Sequence, residues 1–383
     1  MSRTRERILR GALAALLAAA GGAIDPVAAI ARQQADVGQS SIDARLKRVA
    51  AEVFSRTDRV DQNIAELKTI LAEDPRSAQA HMLLGIAYRT KGSTDLLGEA
   101  TGELRQAIDL DPSLVPARLY LAHLYLELGR PERAREQLQT ALERTPAQPQ
   151  FVALLAESER QLGNPQKALE LTDEALKANP AFAEARFYRG LALYDLKRRD
   201  DAIRELEQVV QEGGRRPEVY ASLGAAYLDA DRVDDAVKAL TDGLALDPVR
   251  VAPRIQLARA YRLKGQLTKA ATELTRVRSL VGDTPVSAAD QQQQRDLYFE
   301  DGLVRLKLNQ LTAAAQSFRK VADLDPNYGP GRRYLAETYL RQGLYTRADE
   351  QALRAEKLGS PLPDDLQKTL QEKLRAGKPM GQE

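Results

Sequence analysis

Prolines recur along this chain at a nearly fixed interval. Pro75, Pro112, Pro146, Pro180, Pro248 and Pro326 fall close to multiples of 34 residues. Self-similarity at such a period means that one supersecondary unit is copied along the chain and buries its apolar face only against its neighbours. A chain of 383 residues also exceeds what one compact core fills, about 250–300 residues. Periodicity and length together exclude a single globule and favour an array.

Aligning the segments gives nine copies, starting at Ala44, Ala78, Val115, Pro149, Ala183, Pro217, Val251, Arg295 and Gly329. Position eight is Gly or Ala in every copy: Ala51, Gly85, Ala122, Ala156, Gly190, Gly224, Ala258, Gly302 and Ala336. Position twenty is Ala in copies two to nine and Asn63 in copy one. Position eleven carries Phe54, Tyr88, Tyr125, Tyr227, Tyr261 and Tyr339, with Glu159, Leu193 and Arg305 as departures. Position twenty-four is mostly Leu, and Phe318 in copy eight. Apolar residues recur at helical spacing in each half of a copy, so each copy reads as two helices. The small residues mark where two helices cross too closely for a larger side chain. Gly129, Gly163, Gly265 and Gly343 are placed to end first helices in left-handed caps. Asp-Pro pairs such as Asp111-Pro112 and Asp247-Pro248 end second helices, because proline biases the residue before it away from helix.

These columns resemble the tetratricopeptide repeat over residues 44–362. The resemblance implies an all-α, right-handed superhelical solenoid of antiparallel helix pairs, about nine copies with a C-terminal capping helix over 363–376. It also implies a scaffold that binds extended peptides or partner helices on a concave face lined by the first helices.

Irregularities are informative within such a frame. Copy one is degenerate, as an end copy would be. Copy two carries three extra residues near Gly92–Gly98. Gly213-Gly214 replaces proline after copy five and suggests a soft joint. Ten extra residues separate copies seven and eight, and Ser287 to Asp290 reads as a capping box that starts a long first helix early. Residues 377–383, with Gly377, Pro379 and Gly381, read as a flexible tail.

The N-terminus has another character. Arg3, Arg5, Arg7 and Arg10 precede an apolar run from Gly11 to Ile24, then Asp25-Pro26 and small-residue cleavage patterns. This is the layout of a secretory signal over residues 1–31, followed by a linker over 32–43. The run is shorter than the ~20 residues that span a bilayer. Cleavage makes the chain periplasmic or secreted, and retention anchors it in the inner membrane. Taking the leader's four arginines, one glutamate and one aspartate from the chain's 56 bases and 54 acids leaves 52 of each. The mature chain then lacks the basic field that nucleic-acid binding needs, and a membrane partner follows only from an uncleaved leader.

Chemistry-bearing residues are sparse. With no cysteine, disulfides, thiolate metal sites and a thiol nucleophile are excluded. The two histidines, His81 and His123, lie in different copies. Acid pairs such as Asp200-Asp201 and Asp234-Asp235 sit where second helices begin, which suits the positive end of the helix dipole. The sequence therefore reads as non-enzymatic and without a cofactor, with protein or peptide partners from envelope assembly, secretion or polysaccharide export. It leaves the oligomeric state open.

Positions two, five, nine and twelve should face the concave surface. Candidate contact residues there are Leu119, His123, Phe187, Leu191, Tyr194, Ile255, Arg259, Arg262, Phe299 and Arg333. The same positions also suit packing on the next copy, and the spacing alone does not separate the two roles. Phe187 and Tyr194 stand out as a pair open to a partner, because other residues already fill the packing columns. Arg259 and Arg262 lie one helical turn apart on one face. The Lys and Asn clamp by which some relatives grip a terminal carboxylate is absent: copies three to five offer Leu119, His123, Leu154, Glu184 and Tyr188 instead.

Overall fold

A computed structural model describes residues 41–53, 57–92, 95–146, 148–282, 285 and 287–376. The signal, most of the linker, Phe54 and the C-terminal tail of the sequence reading lie outside the described residues. The chain divides into two compact units, Met1–Asn164 and Pro165–Glu383.

The first unit holds α1 (41–53), α2 (Val60–Glu73), α3 (Ala78–Lys91), α4 (Leu96–Leu110), α5 (Val115–Glu127), α6 (Pro131–Arg144) and α7 (Pro149–Gln161). The second holds α8 (Pro165–Ala178), α9 (Ala183–Asp195), α10 (Arg199–Gln211), α11 (Pro217–Asp229), α12 (Val233–Leu246), α13 (Val251–Leu263), α14 (Leu267–Leu280), α15 (Ala288–Lys307), α16 (Leu311–Leu324), α17 (Gly329–Arg341), α18 (Tyr345–Lys357) and α19 (Asp364–Ala376). No strand occurs among the described residues. Within each unit, consecutive helices pack into a stack of pairs.

Local chemistry sets the helix boundaries. Proline opens α6, α7, α8 and α11, at the first helical position, where its missing N–H costs nothing. Asp111, Asp247 and Asp325 take extended backbone (φ −136°, −141° and −139°) before their prolines. Each carboxylate then accepts the backbone N–H two residues on: Ser113 at 2.9 Å, Val249 at 3.4 Å and Asn327 at 3.2 Å. Ser287 caps α15 as its sequence suggests, accepting from the Asp290 N–H at 3.1 Å and donating to the Asp290 carboxylate at 2.8 Å. That helix is 20 residues long.

The turn inside copies two to nine is a left-handed cap at position fifteen. Gly92, Gly129, Gly163, Gly265 and Gly343 have positive φ, and so do Lys197, Asp231 and Asn309. In copies three to nine the N–H of position sixteen donates to the carbonyl of position eleven, as in Arg130 to Tyr125 (2.8 Å) and Gln266 to Tyr261 (2.9 Å). The Gly213-Gly214 pair forms a hydrogen-bonded turn. Gly214 N–H bonds Val209 O at 2.9 Å, and a Cβ on Gly214 would stand 2.6 Å from Val209 Cγ1.

The small-residue columns do what their size dictates. The position-twenty alanines of copies two to nine are almost wholly buried. A Cβ on Gly224 would lie 2.5 Å from Leu240 Cγ, and one on Gly302 2.5 Å from Phe318 Cε1. Position eight therefore meets position twenty-four directly. Asn63, the exception at position twenty, is 3% exposed, and its amide nitrogen finds no hydrogen-bond acceptor.

A second pairing recurs inside copies, from position four to position twenty-three. His81 Nδ1 lies 2.6 Å from Glu103, Arg118 donates to Gln137 at 2.8 Å, and Arg186 lies 3.4 Å from Glu205. Arg254 pairs with Glu273 at 2.5 Å and Arg332 with Gln351 at 3.0 Å. Each pair ties the two helices of one copy together over their small-residue seam. The stack closes on α19, whose Leu370 is buried against the last copy together with Leu362. Asp364 and Asp365 occupy the first turn of α19, at the positive end of its dipole.

Candidate interaction surface on copies seven to nine

Three first helices of the second unit, α13, α15 and α17, lie side by side. They enclose an open groove of about 540 Å³. From α13 come Ile255, Gln256, Arg259 and Arg262, and from α15 come Asp296, Phe299, Glu300 and Leu303. Tyr328, Pro330, Arg333 and Tyr334 close the far wall. The five sequence candidates Ile255, Arg259, Arg262, Phe299 and Arg333 thus converge on one site.

The floor is apolar. Ile255 and Leu303 are buried, and Phe299 is half-buried among rings. Its ring meets Tyr328 edge-on at 5.3 Å and Tyr334 at 5.7 Å, within the range of favourable aromatic pairs. Arg333 lies over the Tyr334 ring at 4.5 Å, and Arg295 over the Tyr328 ring at 4.7 Å. Burial pushes the Tyr328 hydroxyl above its ordinary pKa, against the opposing effect of Arg295.

The charges divide into two kinds. Arg262 makes a forked pair with Glu300 (2.7 and 3.3 Å), and both side chains are nearly buried. Asp296 is held by Arg295 at 2.8 Å, and Arg295 also reaches Asp325 at 3.2 Å. Arg259 is exposed. Neither Arg259 nor Arg333 has a carboxylate within ion-pair distance among the described residues. The expected Arg259 and Arg262 pair therefore separates: one cation is committed to Glu300 and the other faces the groove.

The remaining candidates do not join this site. Phe187 is 8% exposed and belongs to a core with Ile203, Leu206 and Tyr220, while Arg216 lies over its ring at 5.3 Å. The expectation that Phe187 stands open to a partner is corrected, because the following copy covers it. Leu191 and Tyr194 pack partly buried on the same core. The Tyr194 hydroxyl donates to Asp229 at 2.7 Å, and its pKa is pushed up to about 12, by burial first and then by Asp229. Leu119 and His123 are half-buried on α5 in the other unit.

Sequence reasoning missed Gln256, Glu300 and Tyr334, which all stand at position six of their copies, and Tyr328, which directly precedes copy nine. Tyr328 aside, the groove uses positions two, five, six, nine and twelve, so one more register position would have found the first three. Among the described residues no group of three or more His, Asp or Glu is placed to hold a metal ion. None of the described helices is long and apolar enough to cross a membrane.

Models of the tetratricopeptide repeat match residues 49–114, 97–157, 153–217, 222–279 and 296–363. The chain belongs to the tetratricopeptide-repeat family. Repeats of this family support a protein–protein interaction scaffold. Among solved structures, the chain is similar to one from the APC/C hetero-tetramer Cut9–Hcn1, at 14% identity and a TM-score of 0.67. That match covers 84% of this chain and 60% of the other, and it shows the fold. It is also similar to a thermophilic TPR protein of Thermus thermophilus, at 27% identity, 48% and 98% coverage and a TM-score of 0.43. A search of curated protein sequences finds no match.

Proposed function

We propose that this tetratricopeptide-repeat chain is a non-enzymatic scaffold of the bacterial cell envelope, which holds an extended segment of a partner protein in the groove of copies seven to nine. The groove on α13, α15 and α17 carries this reading. It pairs an apolar, aromatic floor with charged walls, the layout of a site that buries side chains and orients a backbone. Export rests on the basic start, the 14-residue apolar run and the small-residue motifs within residues 1–31. If the leader is retained, the same groove serves an inner-membrane-anchored module facing the periplasm.

Two measurements test the two halves. Mass spectrometry of the N-terminus should find a start near Ile30 or Arg32 for a cleaved leader. An intact leader moves the protein to the anchored form, and a chain recovered only from the cytoplasm ends the envelope reading. A photo-crosslinking amino acid at Phe299 should trap a discrete envelope protein, and one at exposed Lys320 on α16 should not. Equal products from both positions would show that the groove is not where the partner docks.

A further inference from the structure

We infer that the occupant of this groove is an acidic peptide, with two carboxylates flanking an apolar stretch. The inference rests on the groove reading above and adds the chemistry of the ligand. The carboxylates that line the groove are already committed: Glu300 to Arg262, and Asp296 to Arg295. Arg259 and Arg333 are left without an ion-pair partner on opposite walls, although Arg259 also acts on Tyr194, whose hydroxyl donates to Asp229. A basic or neutral segment would leave both guanidiniums without an anion beside a low-dielectric aromatic wall. A carboxylate pairs each with a charge-assisted, forked hydrogen bond. Arg333 Cζ lies 4.5 Å from the Tyr334 ring centroid, which holds that guanidinium beside the groove.

The helices also set the spacing. Arg259 belongs to α13 and Arg333 to α17, with α15 between them. Neighbouring packed helices are about 8–10 Å apart, so the two cations stand about 16–20 Å apart at their backbones. Extended chain covers about 3.3–3.6 Å per residue, which places the two carboxylates about five residues apart. Between them the ligand passes over Phe299, Ile255 and Leu303, so apolar side chains belong there.

The test is fluorescence anisotropy with the purified full chain and a labelled peptide. The probe carries two glutamates about five residues apart, enclosing leucine and phenylalanine. Control peptides carry glutamine or lysine in place of the glutamates, or the two glutamates adjacent. The spaced acidic peptide should bind at least about tenfold more tightly than any control and weaken as salt rises. Arg259→Gln and Arg333→Gln should each weaken it roughly three- to tenfold, and Arg259→Lys should recover part of the loss. Circular dichroism of the variants separates lost contact from lost fold. Equal binding of the glutamine or lysine peptides, or no effect of the arginine changes, overturns the acidic assignment while peptide binding stands. If no peptide binds and the Phe299 cross-linker traps nothing, the groove reading itself fails and this inference fails with it.

Discussion

Three glycines of this chain should answer the same substitution in three different ways. Gly265 has φ +72°, and a Cβ there meets nothing within 4 Å, so Gly265→Ala is a backbone perturbation with no steric part. Left-handed backbone costs an ordinary residue about 1–2 kcal/mol, and the stiffer unfolded chain returns about 0.4–1 kcal/mol. The net loss is about 1 kcal/mol. Gly102 lies inside α4, exposed, with open space around its Cβ as well. Gly102→Ala should stabilise by about 1 kcal/mol, since alanine is the better helix former at a position without strain. Gly224→Ala instead drives a methyl to 2.5 Å from Leu240 Cγ and should cost about 1–3 kcal/mol through overpacking. Arrays open copy by copy, so the reading is hydrogen exchange of the amides in each host helix pair, alongside urea midpoints at constant slope. About 1 kcal/mol is roughly a fivefold change in the local opening constant. Gly265→Ala and Gly102→Ala moving stability in the same direction would refute the assignment of the turn to backbone conformation.

Other consequences follow from buried polar groups. Asn63→Ala should raise the stability of the first copy by about 1 kcal/mol, measured by urea denaturation, because an unsatisfied buried amide is removed. Arg254→Met should cost about 1–2 kcal/mol, because Glu273 loses its buried partner and keeps only the exposed Arg276 at 2.7 Å, while Arg254→Met with Glu273→Leu should regain most of it; the double-mutant cycle checks both. The Tyr194 hydroxyl keeps its proton in the fold to about pH 12, whereas in the unfolded chain it releases it near pH 10. The folded state therefore binds more protons in that interval, and stability falls as pH rises from about 10 to 12. Tyr194→Phe should flatten that slope in alkaline denaturation curves.

The repeat was legible because its columns are steric. Ala at position twenty and Gly or Ala at position eight are the residues that fit the crossing, and eight copies repeat both. The Asp-Pro ends and the Ser287 cap were equally legible, since each is a local bond between residues two or three apart. Lys197, Asp231 and Asn309 hid the same turn, because no glycine marks the left-handed residue there. The candidate surface was half legible. Helical spacing shows that Phe187, Ile255 and Phe299 share a face, but not how deeply the next copy sits on each. Arg216 covers Phe187 from a neighbouring turn, and periodicity has no access to that contact. The partition of arginines into paired and unpaired was hidden too, because Arg262 and Glu300 meet from 38 residues apart. The position-four and position-twenty-three pairs were available in principle: reading the two columns together shows His or Arg facing Glu or Gln in five copies.

Those pairs bear on how a chain like this lengthens. Both members sit inside one repeat unit, so duplicating or deleting a whole copy carries each cation along with its acceptor. Gene-level copying can then change the number of units without stranding a buried charge. The seam between copies seven and eight does not share that freedom. Arg262 and Glu300 lie on opposite sides of it, and a unit inserted there would leave a nearly buried carboxylate without its cation and split the groove across the new unit. The interior of each copy is thus built to be interchangeable, and the seam that Arg262 and Glu300 bridge is built to stay where it is.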